Sequence, residues 1–258
     1  MNEANDLYEH KYSADRFKDE LAEIHLSMTD EQVEKFMLTY EMLVETNKVM
    51  NLTAITDFDD VITKHFIDSL SLVRIKKIRD ELVNGKDLKV IDMGTGAGFP
   101  GIPLAIAFPN VKFVLVDALL KRVKYLTALI ERINLTNVTV LQKRAEDIGR
   151  DPMHREQYDI AVSRAVANLS PLCEYCLPLV KVNGDFIAYK SNKAEEEIAT
   201  SRRAITTLGG KIAGTETFLM NNPSDNEKIE RTLIDIKKVK KIPATYPRKA
   251  GTPTKKPL

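Results

Sequence analysis

Residues 88–117 read LKVIDMGTGAGFPGIPLAIAFPNVKFVLVD, and this stretch decides the fold. Leu88, Val90 and Ile91 make a short apolar run that stops at Gly94, Gly96 and Gly98. The residues from Phe99 to Phe108 can close a helix, broken before Pro109. Pro100 and Pro103 fall in its first turn, where proline is tolerated. Lys112 to Val116 is a second apolar run, ended by Asp117. Strand, glycine-rich turn, helix and strand make one βαβ unit, which offers a ligand the carboxyl ends of its strands.

Alternate glycines suit a sharp turn with positive φ that a ligand approaches without a Cβ in the way. An acidic residue ending the second strand, here Asp117, is placed to accept hydrogen bonds from ribose hydroxyls. Two cofactor classes use such a unit. Gly96, Gly98 and Gly101 satisfy the dinucleotide pattern G-x-G-x-x-G literally. Asp92-x-Gly94-x-Gly96-x-Gly98, with glycines beginning where the strand ends, fits the S-adenosylmethionine pattern instead. A turn that is structural only is the plain alternative.

At 258 residues the chain can bury a large core, and one domain with an appendage is expected. A hydrophobic fraction of 43% and a charged fraction of 29% are those of an ordinary globular protein. The amino terminus has neither a basic head nor an apolar core, so no signal peptide is expected. No apolar run approaches the ~20 residues of a membrane span, and the expected location is the cytoplasm. Cys173 and Cys176 are too few for a disulfide framework. Their C-x-x-C spacing lacks a second pair for zinc, so no metal is expected and both thiols are assigned to a packed helix capped by Ser170 and Pro171. The net charge of +1 hides a gradient. Residues 1–60 carry fifteen acidic and five basic side chains, a net of −10, while residues 228–258 carry ten basic and two acidic, a net of +8. A basic end suits phosphate neutralisation or simply a solvated tail.

Before the βαβ unit the pattern is helical. Ser13 can cap a helix to about His25. Thr29-x-x-Gln32 is a capping box ahead of a stripe of Val33, Phe36, Tyr40 and Val44. A further helix is expected from Phe58 to Arg79, and Asn84-Gly85 is a break. A helical cap over 1–85 thus precedes a core over 86–258. In the core, helices over 121–134, from Pro171 and over 193–208 alternate with strands over 138–142, 158–164 and 185–190. The runs 211–220 and 231–239 alternate as an antiparallel pair. The fold class is α/β: a Rossmann-like, seven-stranded class I S-adenosylmethionine-dependent methyltransferase sheet with an N-terminal helical cap. The tail from Thr245 reads as a loop or basic arm.

Several blocks together resemble one family, the bacterial ribosomal RNA small-subunit methyltransferase G family, also called glucose-inhibited division protein B. They are Asn51-Leu52-Thr53-Ala54-Ile55, His65-Phe66-Ile67-Asp68-Ser69-Leu70, Asp92 through Gly101, Ser163-Arg164-Ala165, and the ending from Arg248-Lys249-Ala250-Gly251 to Pro257-Leu258. The resemblance covers nearly the whole chain. It implies methyl transfer from S-adenosylmethionine to N7 of one guanine in small-subunit (16S) ribosomal RNA, with RNA or the small subunit as partner and a monomeric enzyme. Carried onto this chain, cofactor contacts fall at Gly94 and Phe99, at Ala145 and Glu146, and at Arg164. The sequence differs from the family at Ala118, where a serine often follows the aspartate, and at Ser191, where a glycine is frequent.

The reaction suits these residues. Guanine N7 presents a lone pair and no proton, so the enzyme mainly aligns two reactants. The chain lacks an Asn/Asp-Pro-Pro-aromatic turn after the fourth strand, as used on exocyclic amines, and has Ser163-Arg164-Ala165-Val166 there. Arg164 is the candidate catalytic residue, its planar fork orienting cofactor or base. Gly96 and Gly98 complete the cofactor loop with Asp117. Asn51, His65, Lys190, Arg248 and Lys249 are the candidate RNA contacts; His65 and Asp68, one helical turn apart, can instead simply bond each other. Rival readings are an NAD-dependent oxidoreductase and a non-catalytic RNA-binding assembly factor.

Overall fold

The β-branched and aromatic runs around the glycine turn form the centre of a seven-stranded sheet. Strands β1 (Lys89–Met93), β2 (Lys112–Asp117), β3 (Val138–Gln142), β4 (Tyr158–Arg164) and β5 (Val180–Lys190) are parallel. β6 (Gly210–Asn221) and β7 (Lys228–Lys238) close the far edge as an antiparallel pair, β7 lying against β5. The order is β3-β2-β1-β4-β5-β7-β6. That antiparallel end separates the sheet from the six-stranded dinucleotide order. Strand order reverses between β1 and β4, which pair through Val90–Ile160 and Asp92–Val162. A crevice opens at such a switch point, and the loops after β1 and β4 border it. The computed structural model describes residues 14–85, 87–225 and 227–258.

The helices are α1 (Asp15–Glu23), α2 (Asp30–Met50), α3 (Phe58–Val61), α4 (Asp68–Leu70), α5 (Lys76–Asn84), α6 (Gly101–Ala107), α7 (Leu120–Arg132), α8 (Ala145–Ile148), α9 (Leu169–Cys176), α10 (Ala194–Thr207) and α11 (Thr252–Lys255). The capping box forms as read: Thr29 Oγ1 accepts from Gln32 N at 3.2 Å, and Gln32 Oε1 accepts from Thr29 N at 2.9 Å. Gln32 Nε2 then donates to Ile106 O at 2.8 Å, tying the start of α2 to α6.

The single helix expected over 58–79 is instead a broken one. After α3 it widens into a π-helix over Ile62–Ile67, resumes as α4, tightens into a 3₁₀ turn over Ser71–Arg74 and stops at Ile75, whose ψ is 96°. Ile62, Phe66, Leu70 and Val73 are all buried, so the apolar spacing was real. A π-turn adds a residue without disturbing that spacing enough to show in sequence. The Ser170 cap is also corrected. Asn168 precedes α9 in an extended conformation, and Ser170 and Pro171 lie inside the first turn. Ser13 lies outside the described residues.

One apolar cluster runs from the cap into the sheet, joining Phe17, Phe36 and Phe66 to Leu104, Phe113 and Tyr125. The rings of Phe17 and Phe36 are 4.7 Å apart, those of Phe36 and Phe66 4.9 Å, and Phe66 reaches Phe99 of the glycine loop at 6.1 Å. Aromatic pairs in this range add ~0.5–1.5 kcal/mol each beyond burial. The cap is thereby packed onto the loop that borders the crevice.

The tail is not a solvated arm. Arg155 Nη1 donates to Gly149 O at 2.8 Å and Tyr246 O at 2.7 Å, and Arg150 Nε donates to Pro247 O at 2.8 Å. Glu174, fully buried on α9, accepts from Arg248 N at 2.6 Å, Nε at 2.9 Å and Nη2 at 2.7 Å. A buried carboxylate demands such company, so the chain after β7 is strapped across α8 and α9.

Candidate active site

At the end of β1 the backbone doubles back. Gly94 and Thr95 both donate to Val116 O, at 2.9 and 3.1 Å. Gly94, Gly96 and Gly98 have φ of 72°, 62° and 100°, a region that L side chains avoid. A Cβ on Gly98 would lie 2.6 Å from Ile102, and one on Gly94 2.5 Å from Val166, whereas a Cβ on Gly96 would meet open space. The space above Gly96 is therefore a bare cradle. Asp92, beneath the loop, is fully buried and accepts from Gly101 N at 2.9 Å; burial pushes its carboxyl up to about 6.

A cavity of about 480 Å³ opens over the loop, and Gly94, Asp117, Ala145, Glu146, Tyr175 and Gly251 are in its wall. Asp117, 4% exposed, accepts from Gly96 N at 3.1 Å, Leu119 N at 2.9 Å and Arg122 Nη1 at 3.1 Å. Glu146 is buried after β3 and accepts from Gly251 N at 2.8 Å, so the carboxyl-terminal strap supplies one side of this cavity. Two carboxylates with lone pairs to spare and a glycine cradle fit a ribose-bearing, adenine-bearing ligand such as S-adenosylmethionine.

A second cavity, of about 710 Å³, lies at the end of β4, with Lys64, His65, Asp68, Arg164, Tyr189 and Arg231 in its wall. Ala165 and Val166 line both cavities and separate them. Ala165 has φ 56°, a strained value for a residue with a side chain and one met at functional sites. Arg164 Nη1 donates to Asp68 Oδ2 at 2.6 Å and to Lys64 O at 3.2 Å, and its guanidinium stands 5.4 Å from the centre of the Phe99 ring. His65 stacks on the same ring, at 4.6 Å and 18°, and its Nε2 meets Thr53 Oγ1 at 2.9 Å. Burial and the Arg164 charge push His65 down to about 3, so it is neutral.

Of the sequence-predicted residues, Gly94, Asp117, Ala145 and Glu146 meet at the first cavity, and His65, Arg164 and Lys190 at the second. Gly96 and Gly98 shape the loop, and Phe99 is buried beneath His65 and Arg164. His65 and Asp68 do not bond each other; the widened turn aims them at Thr53 and Arg164. Lys190 is engaged within the chain, with Glu197 at 2.7 Å and Ala167 O at 2.8 Å, and Arg248 is engaged with Glu174. Both hold loops through these contacts. Asn51 ends α2 in the left-handed region and is exposed, as is Lys249; neither lines a cavity described above. The sequence reading missed Thr53 and Asn47, whose Oδ1 holds Thr53 N at 2.9 Å, and it missed Tyr175 and Gly251 in the donor-side wall. Thr53 and Gly251 stand in the family blocks quoted above, while Asn47 and Tyr175 stand in none.

A sheet of this order with a glycine cradle at its switch point defines a class I S-adenosylmethionine-dependent methyltransferase. The profile described as "rRNA small subunit methyltransferase G" matches residues 32–226, and the chain belongs to that family. A ribosomal RNA small subunit methyltransferase G of Acetivibrio thermocellus is 48% identical over 233 residues, covering 90% of this chain and 91% of the relative. The protein of that name from Ligilactobacillus salivarius is 46% identical over 246 residues, 95% of this chain and 98% of the relative. Among solved structures, NSun6 from Pyrococcus horikoshii with SFG superposes with a TM-score of 0.51 at 13% identity, over 67% of this chain and 52% of that one, a likeness of fold. Among the described residues no helix is long and apolar enough to cross a membrane.

Proposed function

We propose that this chain transfers a methyl group from S-adenosylmethionine to N7 of a guanine in small-subunit ribosomal RNA, acting as a monomer in the cytoplasm. The observation that carries the reading is the pair of cavities meeting at Ala165–Val166, directly against the glycine loop. The donor, when bound, supplies a methyl group on a sulfonium, open to in-line displacement. Residues of the first cavity hold it: Asp117 and Glu146 accept from its hydroxyl and amino groups, and the open space over Gly96 in the adjoining loop admits it closely. Residues of the second cavity receive the base.

N7 carries no proton in the neutral base, so nothing need be abstracted before attack. A neutral His65 fits that economy. It acts as a platform, pressing Phe99 and flanking Arg164. Arg164, fixed by Asp68, presents a charged fork in the wall of the second cavity beside Ala165, and alignment of this kind supplies up to ~7–11 kcal/mol in favourable cases. The A-form major groove is too deep and narrow for side chains, so the substrate guanine is unpaired or extruded.

The test is transfer of labelled methyl to small subunits from cells lacking the protein, followed by strand cleavage specific for 7-methylguanine. Cleavage at one labelled guanine is expected; label on carbon or an exocyclic amine overturns the reading. Sedimentation at working concentration checks the monomer.

A further inference from the structure

Three cations stand together beside the first cavity, and no described residue neutralises them. Lys121, in the first turn of α7, donates from Nζ to Met50 O at 3.3 Å, which sets the start of α7 against the end of α2. Lys124 lies one turn further along the same side of α7, and Lys48 two residues before Met50. All three are exposed, and none makes an ion pair with another described residue. The nearest exposed carboxylates along these helices, Glu45 and Glu131, stand about one turn before Lys48 and about two turns beyond Lys124. Arg122 and Lys143, by contrast, are spent on Asp117 and Asp151. Val49, Leu119 and Leu120 are exposed among the three lysines. Both cavities border this patch. Ala118 and Leu119 are in the wall of the first. The second is joined to it by the loop after α2, which Asn51 opens in the left-handed region with its side chain exposed. That loop is fixed: Asn47 Oδ1 accepts from Thr53 N at 2.9 Å, Thr53 Oγ1 accepts from Ile55 N at 3.1 Å and meets His65, and Ile55 lines the second cavity. From Asn51 to Ile55 the chain spans at most ~15 Å, a reach of a few nucleotides.

We propose that Lys48, Lys121 and Lys124, with Asn51 beside them, dock backbone phosphates of the ribosomal RNA strand that leads into the second cavity. A guanine extruded into that cavity stays joined to its strand, so the flanking phosphates cross the rim close to where the base enters. The fixed loop over 51–55 gives them a short path to the patch. Lysine meets a phosphate as a point charge, and an asparagine amide donates to a phosphate or ribose oxygen. Val49, Leu119 and Leu120 offer apolar surface to a sugar or base face between those contacts. Such contacts set affinity and register and leave the choice of base to the cavity itself. The inference rests on the ribosomal RNA reading above and adds the side from which the strand enters.

The test is binding of the full chain, saturated with S-adenosylhomocysteine, to small subunits from cells lacking the protein, between about 50 and about 200 mM salt. Each phosphate neutralised on a single strand steepens the fall of log affinity with log salt by roughly 0.7. Lys48→Gln/Lys121→Gln/Lys124→Gln should flatten that slope by about 2 and weaken binding roughly tenfold, with S-adenosylhomocysteine still bound as tightly. Lys211→Gln/Lys240→Gln/Lys241→Gln, which removes exposed cations at the β6–β7 edge, should bind small subunits as the wild type does. Lys48 and Lys124 bond no described residue through their side chains, so Lys48→Gln/Lys124→Gln serves where the triple variant does not fold; its slope should flatten by about 1.4. An unchanged slope overturns the proposal, and weaker binding with the slope unchanged assigns the patch to a ribosomal protein instead. Equal flattening in the β6–β7 variant overturns it too. If the wild type binds small subunits and methylates N7 while the patch variants keep its slope, the patch alone is removed; if the wild type binds no small subunit, the parent reading falls with it.

Discussion

Arg164 at the end of β4 and Asp68 in the helical cap are joined by a 2.6 Å ion pair, both side chains at most 15% exposed. This pair bolts the cap to the rim of the crevice. Removing one partner of a buried pair typically costs roughly 3–5 kcal/mol, because the other charge is left behind. Arg231 remains beside Asp68, so Arg164→Ala should fall at about the low end of that range, ~3 kcal/mol. Arg164→Lys keeps the charge without the fork. It should melt near the wild type yet methylate small subunits at least ~10-fold more slowly, a ~1.4 kcal/mol loss of alignment. Thermal melts beside labelled transfer measure both; full turnover in Arg164→Lys would remove the fork from the mechanism.

Gly96 and Gly101 serve different ends. A Cβ at Gly101 would lie 2.1 Å from Leu115 Cδ2 and 2.8 Å from Asp92 Oδ2, so Gly101→Ala should destabilise the fold itself. At Gly96 a Cβ meets no protein atom, and only its φ of 62° resists, a cost of ~1–2 kcal/mol. Gly96→Ala should fold and lose affinity for S-adenosylmethionine in calorimetry, since the methyl occupies the ligand's space. Gly96→Val adds bulk and should abolish binding.

His65 sets a pH dependence. In the folded chain it titrates at about 3, against 6.5 free. Between those values the unfolded chain holds the extra proton, so the stability it contributes is complete above 6.5 and drains as pH falls toward 3. Asp92 and Asp235, raised by burial to about 6, act in the opposite sense, favouring the fold as pH drops through 6. His65→Gln removes the first effect alone. Its melting temperature should lie below the wild type's at about pH 7.5, and the gap should narrow toward about pH 4.5. A gap independent of pH would contradict a buried neutral imidazole.

Arg248 gives a prediction opposite to that for a phosphate contact. With Glu174 fully buried, Arg248→Ala should cost roughly 3–5 kcal/mol in denaturant melts. Pairing it with Glu174→Gln should recover part of that loss. A variant as stable as the wild type but weaker on RNA would return Arg248 to the RNA surface.

Cys173 and Cys176 are fully buried free thiols, and burial pushes both up from their ordinary range. Iodoacetamide at about pH 8 should leave the native chain unlabelled and modify both once it is unfolded, because the thiolate is the reactive form.

Much of the fold was legible because it is written in local pattern. Strand periodicity, the glycine turn and the capping box at Thr29 each depend on neighbours within a few residues, and each formed about where it was read, although β5 begins at Val180, ahead of the 185–190 expected. The π-turn was not legible, since Ile62, Phe66, Leu70 and Val73 present the same buried face whether or not one residue bulges. The strap was misread for another reason. Lys and Arg in a proline-rich tail look solvated until Glu174, 74 positions away from Arg248, is found buried in an apolar helix.

By itself the sequence determined the architecture, the glycine cradle and the carboxylates that end β2 and follow β3, because backbone conformation and hydrophobic period are properties of short segments. The tertiary structure alone decided which charges remain at the site. Lys190 and Arg248 are taken up by Glu197 and Glu174, and Asp68 holds both Arg164 and Arg231. Desolvation forces buried charges to find partners, and which partner each one finds depends on packing between segments as far apart in sequence as Asp68 and Arg231.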